Sequence, residues 1–119
     1  MAIVTFTNYK RGQTRGCMGA VMRYTMQKKK TTWEGQQLVT GIDCQPESVY
    51  ADFMTSKQLY YKTDGVMFFH MVQSFPKNEE VDPVTAHAAA LELARYYKGH
   101  EVLVCTHIDR EHIHSHFII

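Results

Sequence analysis

The first 33 residues of this 119-residue chain contain no aspartate and no glutamate. All twelve acidic residues come later, whereas seven of the thirteen lysines and arginines fall in this opening stretch. The leading segment therefore carries +7, and the remainder, with six basic against twelve acidic residues, carries −6. A net charge of +1 conceals this division. The excess consists of Lys10, Arg11, Arg15, Arg23, Lys28, Lys29 and Lys30. A segregated basic surface suits a polyanion, because neutralising phosphates releases condensed counterions and gives sequence-independent affinity. A solvated basic helix would carry the same residues, so charge alone does not decide between the two.

Other absences narrow the class. Cysteine is scarce: Cys17, Cys44 and Cys105 are odd in number and far apart. That argues against a disulfide framework or a CxxC metal knuckle and implies a reducing compartment, with the cytoplasm as the expected location. No apolar run approaches the roughly 20 residues needed to span a bilayer. The segment 1–7 is apolar and β-prone, without a charged leader before it or a small-residue cleavage site after it, so a signal peptide is not expected. Repeats, low-complexity tracts and linkers are all missing, which leaves one domain spanning 1–119. With 45% hydrophobic and 21% charged residues, the chain has the composition of a globular protein. At this length it can bury roughly two thirds of its unfolded surface, enough for a single core.

Local patterns predict the elements. Residues 2–7 (AIVTFT) read as a strand. Residues 12–27 read as a helix, with Cys17, Ala20, Val21 and Tyr24 on one apolar face and Lys28–Lys30 closing its negative end. A short strand is expected over 38–42, and Pro46 opens a helix over 47–60. Residues 66–75 (VMFFHMVQSF) form the strongest strand, with Val66, Phe68, His70, Val72 and Ser74 on one face. Asp82-Pro83 starts a helix that runs to Lys98 and ends at Gly99, with an apolar stripe of Ala86, Ala89, Ala90, Leu93, Ala94 and Tyr97. Strands follow over 101–106 and 113–119, joined by a polar turn at 109–111. The expected fold class is α+β, with helices covering one face of a largely antiparallel sheet.

Histidine carries the chemistry. Four of the seven histidines lie in His107-Ile-Asp109-Arg-Glu-His112-Ile-His114-Ser-His116. His112, His114 and His116 are spaced by two, so a strand presents their imidazoles on one face. Protonated rings this crowded repel one another, and a shared divalent cation removes the conflict. His107 can return to the same patch across a hairpin, which gives three imidazoles with open positions for substrate oxygens. Imidazole favours Zn, Cu, Ni or Fe, while phosphate chemistry commonly uses Mg or Mn, and the sequence leaves this open. Cys105 is expected to aim away from His114. Asp109 is expected to orient an imidazole through its second ring nitrogen, or else to be a turn residue. His70 reads as a buried, hydrogen-bonded histidine, and His87 and His100 as surface residues. Tyr60-Tyr61 and Tyr96-Tyr97 read as amphipathic packing.

With these residues in view, the chain resembles the relaxase/mobilisation-nuclease family of the HUH endonuclease superfamily. Three blocks carry the likeness and span nearly the whole chain: residues 16–31 around Tyr24, His70-Met-Val-Gln-Ser74-Phe75, and the HxDxxHxHxH run. The resemblance implies an HUH/ferredoxin-like relaxase fold. It also implies Tyr24 as nucleophile, His107, His114 and His116 as ligands of a divalent metal, and His112 as an alternative ligand or a group contacting Tyr24 or DNA. The reaction implied is metal-dependent nicking and strand transfer through a 5′-phosphotyrosyl intermediate at a plasmid or integrative-element transfer origin. Single-stranded DNA would be the partner, held by the basic residues and stacked on Tyr9 or Trp33, with accessory mobilisation proteins alongside. The same chemistry serves replication initiators and transposases, and a fragment could bind single strands without cutting them. Without the likeness, Tyr24 would pass for a core tyrosine on its helix stripe. The family pattern places an asparagine four residues past the last histidine, at position 120, so the natural chain is expected to continue beyond Ile119.

Overall fold

The structure is a computed structural model and describes residues 2–7, 9, 13–60, 66–76, 81–109 and 112–119. Its elements, in order, begin with β1 (Ile3–Phe6), α1 (Arg15–Thr25), α2 (Lys28–Thr31), β2 (Thr32–Trp33), β3 (Gln36–Gln37) and β4 (Val39–Ile42). A 3-10 turn (Pro46–Ser48) then leads into α3 (Val49–Leu59), β5 (His70–Ser74), α4 (Pro83–Ala94), β6 (Val102–His107) and β7 (His114–Ile118). Five strands form one sheet in the order β1-β5-β7-β6-β4, and every pairing in it is antiparallel. This is the expected α+β class.

The helices cover both faces of the sheet rather than one. Strand alternation accounts for this, because β6 is buried along its whole length and must satisfy two apolar layers. Leu103, Cys105 and Ile118 face Met18 and Met22 of α1 and Val49, Phe53 and Met54 of α3. Val102, Val104, Met71 and Phe117 face Ala90 and Ala94 of α4. Each fully buried aliphatic or aromatic side chain stabilises the fold by about 1.5–3 kcal/mol. Among the described residues, no helix is long and apolar enough to cross a membrane.

Two local differences from the sequence reading have physical causes. Helix α1 starts at Arg15, where the Thr14 hydroxyl caps it by accepting from the Cys17 N–H at 3.0 Å. The lysine run does not close this helix, because Gln27 is extended and α2 begins afresh at Lys28. The buried face of α1 is Met18, Gly19, Met22 and Thr25, so Tyr24 points outward and is 48% exposed. In the predicted 66–75 strand, His70–Ser74 forms the strand proper, and backbone bonds to Ile119 and Ile113 carry the pairing on to Phe69 and Phe75. The Gln13 side-chain amide takes up the loop before it, accepting from the Met67 and Phe68 N–H groups and donating to the Phe68 carbonyl.

Gly41 of β4 sits against the backbone of the following turn. A Cβ there would lie 2.2 Å from the Cys44 carbonyl oxygen and 2.8 Å from its carbon. Gly41→Ala is therefore expected to displace the β4 edge and cost about 1–3 kcal/mol or more. Urea unfolding would read this as a lowered midpoint, and an unchanged midpoint would refute it.

Candidate metal and strand-transfer site

The site is built where β6 and β7 pair. Register sets His107 opposite His114 and Cys105 opposite His116, so all four side chains share one face. His107, His114 and His116 each offer a nitrogen within 4.8 Å of the other two. Ring centroids are 4.4 Å apart for His107 and His116, and 5.0 Å for each of the other two pairs. Cys105 thus faces the same way as His114, contrary to the alternation argument, because directly opposed residues of an antiparallel pair point to the same side. It is nonetheless wholly buried, and burial pushes its thiol up to about 12, which leaves it packed rather than ligating.

The second nitrogen of each ring is already occupied. The Nε2–H of His107 donates to the Thr25 carbonyl at 2.9 Å, and the Nδ1–H of His114 donates to the His112 carbonyl at 3.1 Å. A carbonyl can only accept, so these bonds fix two tautomers and leave His107 Nδ1 and His114 Nε2 with lone pairs. The Nδ1 of His116 lies 2.7 Å from Nε2 of His70. The donor set fits a divalent cation: three imidazoles, each with one nitrogen free and the other anchored. Thr25 is the last residue of α1, so an otherwise unsatisfied terminal carbonyl orients a candidate ligand.

The remaining predicted residues are distributed around this trio. Tyr24 lies edge-on to His107, with centroids 6.1 Å apart. The Lys30 ammonium is 5.0 Å from the Tyr24 ring centroid and bonds Asp109 at 3.0 Å. Asp109 is therefore held to Lys30 rather than to an imidazole. Although its partial burial acts to raise its pKa, the Lys30 hydrogen bond keeps the carboxyl below its usual range. His112 is exposed and contributes its backbone carbonyl. Arg15, Arg23, Lys28 and Lys29 are exposed, as a polyanion contact requires, whereas Lys10 and Arg11 lie outside the described residues, as do Tyr61 and most of the 109–111 turn. Tyr60 and Tyr96 are exposed, whereas Tyr97 packs on the Met71 and Ala94 cluster, so the 96–97 pair is amphipathic as expected. Trp33 is half-buried on β2.

Sequence reasoning understated two residues and misplaced one. Tyr9 is no free stacking platform, because its hydroxyl is 2.7 Å from His70 Nδ1 and its ring meets Phe68 edge-on. His70 is buried, as expected, but it is also bonded into the histidine cluster. His87 is buried beneath α4 instead of lying on the surface, with Nε2 2.8 Å from the Thr40 hydroxyl and Nδ1 2.7 Å from that of Thr106. Its position, four residues after Pro83 and three before Ala90, belongs to the buried stripe, and that spacing was the available signal.

Burial keeps these rings neutral. Desolvation lowers the pKa of His70, His87 and His107 and, aided by the neighbouring His107 and His70, brings His116 down to about 2. In the unfolded chain each titrates near 6.5. Below that value the unfolded state takes up protons that the folded state refuses, so their contribution is intact above pH 6.5 and falls as the solution is acidified. The limiting slope is about 1.4 kcal/mol per pH unit for each such ring. Melting in a chelating buffer is expected to show Tm falling by several degrees from pH 7.5 to 5. A flat profile would contradict neutral burial.

Fold and site together define a five-stranded antiparallel sheet with helices on both faces and a cluster of three imidazoles beside an exposed tyrosine. The family model described as "Relaxase: MobA/VirD2-like, nuclease domain" matches residues 24–119, and the chain belongs to that family. A Staphylococcus aureus relative named Protein rlx is 36% identical over 81 residues, covering 67% of this chain and 25% of its own length. The Group II intron-interrupted relaxase LtrB of Lactococcus lactis subsp. cremoris (strain MG1363) is 34% identical over 59 residues, 48% of this chain and 10% of that protein. The chain thus spans about a quarter or less of the length of these curated relatives. No solved structure matches it.

Proposed function

We propose that the protein nicks one DNA strand by transesterification on Tyr24 and retains the cleaved end for transfer. The observation that carries this reading is the exposed Tyr24 phenol set edge-on to His107, one of three imidazoles able to share a cation. Family membership supports the same chemistry.

In this reading the Tyr24 oxygen attacks the scissile phosphorus, the bond to the 3′ oxygen breaks, and a 5′-phosphotyrosyl linkage forms. The phenol proton passes to solvent, and the 3′ oxygen leaves as a hydroxyl after taking a proton. One phosphodiester replaces another, so the bond energy is kept for resealing. An ordinary phenol has a pKa near 10 and is a weak nucleophile at neutral pH. The Lys30 ammonium, fixed by Asp109, favours the developing phenolate. A divalent cation on His107, His114 and His116 would polarise the scissile phosphate and stabilise charge developing on it. Mg or Mn suits the substrate oxygens and Zn or another transition metal suits the imidazoles. Arg15, Arg23, Lys28 and Lys29 hold the single strand through its phosphates. The substrate of the whole protein is a plasmid or integrative-element transfer origin.

Covalent capture tests this directly. Wild-type protein is incubated with a pooled single-stranded DNA library and Mn²⁺ or Mg²⁺, then resolved in SDS. An SDS-resistant adduct that disappears with EDTA supports the reading, and sequencing the bound strand gives the site. Salt-sensitive DNA binding with no adduct under any metal would instead make this a binding module.

A further inference from the structure

The cluster extends one layer outward from the candidate ligands. His70 lies on β5, which pairs with β7 so that Ile118 stands opposite His70 and Val72 opposite His116. His70 and His116 are therefore diagonal neighbours on one face, close enough for long aromatic side chains to meet. Their ring centroids are 4.9 Å apart and His70 Nε2 is 2.7 Å from His116 Nδ1. The other nitrogen of His70 is 2.7 Å from the Tyr9 hydroxyl, and the Tyr9 ring is packed against Phe68. Both nitrogens of His70 are thus committed, and the ring is buried.

We propose that His70 and Tyr9 are positioning residues for the metal site, forming a relay that holds the His116 ring in orientation and keeps its Nε2 available to a cation. The proposal rests on the metal-site reading above. Its direction follows from proton counting. A neutral His116 that offers Nε2 as a ligand carries its proton on Nδ1. That proton is donated to His70 Nε2, so His70 carries its own proton on Nδ1 and donates it to the Tyr9 oxygen. All three members of the trio are then anchored in the same manner, each through an N–H bond from the nitrogen turned away from the shared centre: His107 to the Thr25 carbonyl, His114 to the His112 carbonyl, and His116 to His70. Two anchors are backbone atoms that substitution cannot remove. The third is a side chain, and it is the one that can be tested.

The experiment measures Mn²⁺ affinity of the whole chain from the paramagnetic resonance signal of free Mn²⁺, with no DNA present. His70→Ala is expected to weaken Mn²⁺ binding about 10–100-fold, the usual effect of losing a partner behind a ligating histidine. His70→Gln, whose amide oxygen can still accept from His116 Nδ1, is expected to recover most of that loss. Tyr9→Phe removes only the outer bond and should cost a few-fold. Melting without metal shows whether each variant folds, and a variant that fails to fold is replaced by His70→Asn as the test of the acceptor. Full affinity in folded His70→Ala would overturn the relay while leaving the trio standing. Full affinity in His116→Ala would overturn the metal site and the relay with it. Equal loss in His70→Ala and His70→Gln would overturn the acceptor role in favour of simple packing.

Discussion

Tyr24→Phe is expected to abolish the covalent protein–DNA adduct, a loss on the order of 10³-fold or more, while changing affinity for the same oligonucleotide by less than about 3-fold. The substitution removes one oxygen from a residue that is 48% exposed, and the ring that stays can still lie edge-on to His107 and beneath the Lys30 ammonium. Folding should therefore survive, and the Thr25 carbonyl that anchors His107 comes from the backbone of the next residue. The two measurements are adduct yield in SDS and binding by fluorescence anisotropy at fixed salt. An adduct that persists in Tyr24→Phe would remove Tyr24 as the nucleophile and turn attention to the other tyrosines. An adduct and affinity lost together would mean that the phenol holds DNA rather than attacking it.

His114→Ala and His116→Ala are expected to reduce divalent-metal affinity by about 10²-fold or more and to remove nicking, because each takes away one of the three imidazole nitrogens that the described residues bring together. His112→Ala should behave differently. Its contribution to the cluster is the carbonyl that accepts from His114, and that atom survives the substitution. Metal affinity in His112→Ala should stay within a few-fold of wild type, so a loss of nicking there would assign the exposed imidazole a part in DNA contact or proton transfer. If His112→Ala loses metal while His114→Ala keeps it, the ligand assignment is wrong. EDTA should reproduce the His114→Ala phenotype in wild type, and Mn²⁺ should reverse it.

The histidine trio was legible because its signal is local. A spacing of two puts His114 and His116 on one face of any strand, and a short connection returns His107 to their side. The nucleophilic role proposed for Tyr24 came only from the family likeness. The periodicity of Tyr24 argued for burial, and the structure turned it outward because Met18, Met22 and Thr25 took the inner face of α1. Asp109 shows the opposite case, in which the expected imidazole partner gave way to Lys30, brought alongside when the Lys30 carbonyl accepts from the Ile108 N–H at 2.8 Å.

What the amino-acid order determined by itself was the alternation along each strand, the start and apolar stripe of α4, the segregation of positive charge and the shared face of the paired histidines. These depend on the backbone repeats of two and 3.6, which act over a few residues. Tertiary structure decided which face of α1 is buried, that helices lie on both sides of the sheet, and that His70 and Tyr9 stand behind His116. Those outcomes depend on strand order and register, which bring residues 9, 70 and 116 within hydrogen-bond reach. No local pattern encodes a contact between residues so far apart, because it exists only once the whole sheet has closed around it.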